Sequence, residues 1–211
     1  LPANHDHARS ESFRFATAPR TLLLVLLAGL ALVSTPYAQP DPAGSAPQPL
    51  RVGQLSVWTL GDAWIPLQAS LLRGIDPADA RRMLGGQDAA KTPVNAFLVK
   101  MPGKTVLVDA GIGTSSETDS GHLGEALAAA GFQPGDIDLV VLTHAHFDHV
   151  GGLLTADGTR AFPNAQLWVS KSERDYWTGD PARLPEPLRE RAPMLRNLFQ
   201  VYEKAGALRT F

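Results

Sequence analysis

The chain has 211 residues, 44% of them hydrophobic and 19% charged, with a formal net charge of −2 at pH 7. That balance fits one globular domain with a leader and excludes a disordered chain, and the charge excludes the basic footprint of a nucleic-acid binder. There is no cysteine, which excludes disulfides, thiolate metal sites, cysteine nucleophiles and a lipid-anchored N-terminus, so any metal must be held by nitrogen and oxygen.

Leu1 rather than Met opens the chain, as in a fragment or an over-extended reading frame. Arg9, Arg14 and Arg20 precede the apolar run Leu22 to Val33, and "STPYAQP" follows with its small residues. Basic, apolar and cleavage regions in that order form a secretory signal, expected to be cut after Ala38. The apolar run is too short for a membrane span, which needs about 20 residues. The expected product is periplasmic or secreted, with no stable membrane anchor after cleavage. His5 and His7 lie ahead of this signal and are discarded as ligands. Residues 39–51, rich in proline and small side chains, form a linker, and the folded part is expected over residues 52–211.

"VGQLSVWTLGD" alternates and is rich in strand formers, which predicts a half-buried strand ended by Gly61 and Asp62. "DPADARRMLGG" predicts a short helix with Asp76 as N-cap, Pro77 at its first position and Gly85 past its end. "VNAFLVK" and "TVLVDAG" flank Pro102-Gly103 as a hairpin. "SGHLGEALAAAGF" is a helix with Leu123, Leu127 and Ala130 on one face and Gly131 as its stop. His122, near its start, reads as a solvent-facing histidine. Ile137 to Leu142 is a continuous apolar run, expected to be a strand covered on both faces. "AQLWVS" is a further strand, and "KSERDYWTG" and residues 188–205 are helices. A strand meander followed by helix–strand units is an α/β layered domain.

Directly after the apolar run, "THAHFDHVGG" places His144, His146, Asp148 and His149 within one short loop. A core would not choose them, because each buried imidazole or carboxylate needs its own partner. The carboxyl end of a buried strand is where α/β sheets usually place their chemistry. Residues two apart in an extended segment point to one side, so His144 and His146 can converge on one ion. Asp148 and His149 can face a second ion beside it. Imidazole and carboxylate without thiolate suit zinc best, with iron, manganese or cobalt as alternatives.

With that H-x-H-x-D-H motif, and with "FLVKMPGKTVLVDAG" and "AFPNAQLWVSKSERDYW" around it, the sequence resembles the metallo-β-lactamase superfamily. It looks most like the branch of methyl parathion hydrolases and quorum-quenching lactonases. The resemblance implies an αββα sandwich, present here as its N-terminal half only, because no histidine follows His149 and the family completes its site with further ligands downstream. It implies two divalent metal ions, one on His144 and His146 and the other on Asp148 and His149. Asp148 would also act catalytically, orienting a metal-bound hydroxide and shuttling its proton. Asp109, in "LVDAG", matches an aspartate that supports the site from behind; an Asx turn at a strand end fits it equally well. Trp177 matches a pocket aromatic of that branch, although core packing of the ring is the favoured reading. The branch's aromatic in the loop after Asp109 has no counterpart in "GIGTSSETDSG". The implied function is an exported dinuclear hydrolase acting on a small-molecule lactone, ester or phosphotriester, and a homodimer is compatible with it. The competing readings are a truncated, non-catalytic metal-binding fragment and a di-iron redox protein on the same fold.

Overall fold

The computed structural model describes residues 47–114 and 119–211; the signal and most of the linker lie outside the described residues. The sheet begins at β1 (Leu50–Val52), turns at Gly53 and continues into the long strand β2 (Leu55–Gln68). The expected stop at Gly61-Asp62 does not occur. The register with β3 (Ala89–Met101) shifts between Gly61 and Ala63, so a bulge absorbs the extra residue and the strand runs on. Asp62 is not a turn residue but a carboxylate only 1% exposed. Its Oδ2 accepts from the Ile112 N–H at 2.7 Å and its Oδ1 from the Leu123 N–H at 3.1 Å. Those two bonds replace the solvation that burial removes. Strand β1 also takes Leu50 and Arg51 out of the expected linker.

Helix α1 (Pro77–Met83) has the predicted caps: Asp76 Oδ1 accepts from the Ala78 N–H at 2.9 Å, and Gly85 follows at a φ of 65°. Strands β3 and β4 (Lys104–Val108) form the hairpin around Pro102-Gly103. Helix α2 (Leu123–Ala129) buries Leu123 and Leu127 and stops before Gly131. Strand β5 is shorter than its apolar run, Leu139–Val141, and joins β4 in parallel. It leads into the single turn α3 (Phe147–Val150) and then β6 (Gln166–Val169). Helices α4 (Lys171–Thr178), α5 (Glu186–Arg189) and α6 (Ala192–Lys204) follow, and a last strand, β7 (Leu208–Thr210), pairs in parallel with β6.

The seven strands lie in chain order, with β1 to β4 antiparallel and β4 to β7 parallel. Alternation gives the sheet two unlike faces. Leu60, Leu98, Leu107, Val140 and Leu167 are fully buried and share a core with Leu127, Leu195, Phe199 and Tyr202 of the helices. The other face carries the cross-strand row Thr59, Phe97, Val108, Val141, Trp168. Phe97 and Trp168 remain 38% and 39% exposed there. Strand β5 is therefore covered on one face and half-open on the other, against the expectation of two covered faces: Val140 is buried, while Leu139 and Val141 are not. The α/β architecture is as expected for one half of a sandwich: helices on one face of a sheet, and a partly apolar face opposite. Among the described residues no helix is long and apolar enough to cross a membrane.

Candidate metal centre

The site forms where the ends of β4 and β5 lie side by side. Asp109 follows β4 with a φ of 62°, the one described non-glycine residue at positive φ. Asp tolerates that region better than most residues, and such outliers cluster at functional positions. The turn aims its carboxylate at the segment leaving β5. Oδ1 accepts from the Thr143 N–H at 2.8 Å, and Oδ2 accepts from Thr143 Oγ1–H and pairs with His149 Nδ1, each at 2.8 Å. Both carboxylate oxygens of Asp109 are thus engaged with Thr143 and His149 rather than with a local turn.

His144 Nε2 and His146 Nδ1 lie 3.1 Å apart, and His149 Nε2 lies 3.3 Å from Asp148 Oδ2. The His144 and His149 ring centroids are 4.0 Å apart, so all four motif side chains are neighbours. They converge as two donor pairs. Among the described residues no three His, Asp or Glu side chains form a metal-holding group. Two ligands on a tetrahedral ion at 2.0–2.1 Å sit about 3.3 Å from each other, and both pairs match that spacing.

Backbone packing holds the loop. The Ala110 N–H donates to the His149 carbonyl at 2.8 Å and the Gly151 N–H to the Gly111 carbonyl at 2.9 Å. A Cβ on Gly151 would stand 1.7 Å from the Ile112 carbonyl oxygen, and one on Gly152 would stand 2.2 Å from that of Ala110. Only glycine allows this approach. Glu173 of α4 secures the loop from its other side, accepting from the Ala145 N–H at 2.8 Å and from Trp177 Nε1–H at 3.3 Å.

Trp177 packs in the core, as the favoured reading expects, and also borders a cleft. It is 2% exposed, its ring stands edge-on to His146 with centroids 6.0 Å apart, and the cleft is open, of about 300 Å³. His146, Phe147, Asp148, Leu188, Arg191 and Leu195 also line this cleft. His122 stays out of the site: its ring binds Asp119 Oδ1 at 2.7 Å on the surface. Nothing in the sequence marks Thr143 or Glu173, and Asp62 reads there only as a strand end. The first two contact the motif or its supporting aspartate directly, and Asp62 braces the loop behind them.

Electrostatics pull the motif apart. Hydrogen bonds that the His149 ring donates to Asp109 first and Asp148 second raise its pKa to about 9. Its partnership with His149 lowers that of Asp148. Burial, and then the charges of His149 and His146, lower that of His144. In chelator, the folded state holds a proton on His149 that the unfolded chain releases near 6.5. The stabilisation is therefore complete below pH 6.5 and lost as the pH rises through about 9. We expect the urea midpoint to fall across that window by an amount worth at most about 3 kcal/mol. His149→Gln should flatten the dependence; an unchanged slope in that variant would refute the assignment.

The metallo-beta-lactamase superfamily model matches residues 90–200. Metallo-beta-lactamase domain-containing protein 1 of Mus musculus is 32% identical over 195 residues, covering 92% of this chain and 60% of that protein. N-acyl homoserine lactonase AttM of Rhizobium radiobacter is 32% identical over 102 residues, 40% of this chain and 36% of that protein. The solved structure of AidC, a dizinc quorum-quenching lactonase in complex with a product, is 28% identical with a TM-score of 0.71, covering 79% of this chain and 61% of AidC. The chain thus spans at most about 60% of the length of these relatives.

Proposed function

The chain belongs to the metallo-β-lactamase superfamily, and from that premise we propose that it is part of a metal-dependent hydrolase that takes two divalent ions, zinc by its donor set. The two donor pairs at 3.1 and 3.3 Å are the observation that carries the reading. His144 Nε2 and His146 Nδ1 would hold one ion, and Asp148 Oδ2 and His149 Nε2 the other. Bound ions of this kind supply an activated water and a polarised substrate oxygen.

The chain's own residues do the rest. Asp109 takes the Nδ1–H of His149 and so leaves Nε2 bare for an ion. Thr143 holds that carboxylate in place through both its N–H and its hydroxyl. The half-buried carboxylate of Asp148, 3.3 Å from His149 Nε2, would orient the attacking water at the site and relay its proton. Trp177, Leu188 and Leu195 give the cleft an apolar wall that receives the organic part of a substrate and excludes water. Likeness to AttM and AidC supports a lactone or carboxylic ester as the substrate class. The basic and apolar leader supports export to the periplasm or beyond.

Each pair gives its ion two ligands, whereas catalytic zinc usually has three from protein. The 211-residue chain alone is therefore expected to hold metal weakly, and the test uses the full-length protein. Zinc per chain, measured by elemental analysis, should approach two. A chromogenic lactone or aryl ester should turn over faster than an aryl phosphotriester. Two bound irons with no hydrolysis of any of the three would overturn the hydrolase reading in favour of a redox protein.

A further inference from the structure

The cleft beside the donor pairs has the candidate ligands His146 and Asp148 on one side, an apolar wall of Trp177, Leu188 and Leu195, and, at its rim, Arg191, which lies directly before α6. Its guanidinium carbon stands 4.6 Å from the centroid of the Phe147 ring, and Phe147 is the residue between the candidate ligands His146 and Asp148. That cation–π contact holds the guanidinium beside the cleft without using its N–H groups. Arg160, Arg189, Arg196 and Arg209 spend their N–H groups on backbone carbonyls, and Arg81, Arg82 and Arg174 on carboxylates. Among the described residues Arg191 has no carboxylate within ion-pair distance. Asp148, the carboxylate on the same cleft, is turned to His149 instead. A cation at the start of α6 opposes that helix's dipole, and that cost is set against the contact with Phe147.

We propose that Arg191 is a specificity-determining residue that grips a carboxylate on the substrate, so that the site selects small anionic esters or lactones over neutral ones. A flat, pre-oriented fork is suited to bidentate recognition of a carboxylate. The cleft opens directly beside His146 and Asp148, so a group held at Arg191 lies next to the candidate ligands. Because Arg191 stacks on the residue between two candidate ligands, a carboxylate held there sits a short linker away from the reacting bond.

The catalytic arm of the test rests on the hydrolase reading, and the binding arm does not. In full-length protein, 4-acetoxybenzoate and its neutral methyl ester form a matched pair. The ratio of their kcat/KM values should favour the anion, mainly through KM. That ratio should fall roughly ten- to hundredfold in Arg191→Met, the range expected for hydrogen bonds to a charged group. Arg191→Lys should recover part of it, because charge returns without the fork. Calorimetric titration with benzoate, against benzyl alcohol, reads the same contact without turnover; benzoate should bind the parent protein more tightly, and Arg191→Met should abolish the difference. An unchanged ester ratio, or equal benzoate binding by the parent and Arg191→Met, overturns the proposal. Failure to hydrolyse either ester counts against the hydrolase reading, and the benzoate titration then still decides the role of Arg191.

Discussion

Replacing His144 and His146 together by alanine is expected to strip one metal ion from the full-length protein and to lower turnover roughly a thousandfold or more, about 4 kcal/mol of transition-state stabilisation. The two rings offer the pair of nitrogens 3.1 Å apart, and nothing adjacent replaces them. His149 is engaged by Asp109 and Asp148, and Thr143 is bound to Asp109. The change removes a site rather than weakening one. Neither ring belongs to the hydrophobic core, so the fold should survive and the far-ultraviolet spectrum should stay as in the parent. Replacing His5 and His7, outside the described residues, should change neither metal content nor rate. A double variant of His144 and His146 that still carried two ions per chain would show that the pairs had been wrongly assigned.

The second large effect is expected from a single methyl group. Gly151→Ala would set a Cβ 1.7 Å from the Ile112 carbonyl oxygen. The atoms to be displaced are backbone, themselves tied through the Gly151–Gly111 and Ala110–His149 hydrogen bonds. Relief would require the segment after β4 and the loop after β5 to separate, so a loss of at least about 3 kcal/mol is expected. In a domain of this size that lowers the melting temperature by roughly 6–12 °C. Gly124→Ala is the control. It lies within α2, has no neighbour within 4 Å of its built Cβ, and should stabilise by about 0.5–1 kcal/mol through helix propensity. A Gly151→Ala protein that melts with the parent would mean that the two segments are not held together by backbone contact.

The motif was legible because its residue types are costly in a core and its position follows a visible strand signal. His144, His146, Asp148 and His149 therefore declared themselves as a group, whereas Asp109 was marked only by resemblance to the family, its place at a strand end fitting an Asx turn equally well. What supports them was not legible. Glu173 sits at the third position of a helix capped by Ser170, where glutamate is common for local reasons; its bond to the Ala145 N–H spans 28 residues. Asp62 looked like a turn because Gly-Asp usually is one, and only the bulge and a partner 61 residues away make it a buried brace. Strand β7, three residues with two exposed, carries no periodic signal at all.

Each strand of the sheet pairs with its neighbour along the chain, and this orders how the molecule can assemble. The antiparallel members β2, β3 and β4 can zip up as hairpins through local contacts, which form fast. Parallel pairing is slower, because β5 reaches β4 only after the whole crossover from Val108 to Leu139 has been closed. Asp109 lies on the early side of that step and the histidine motif on the late side. A partly folded chain can therefore present the imidazoles or the orienting carboxylate, but not the two in register. The juxtaposition of Asp109 with His149 thus waits on the non-local docking of β5.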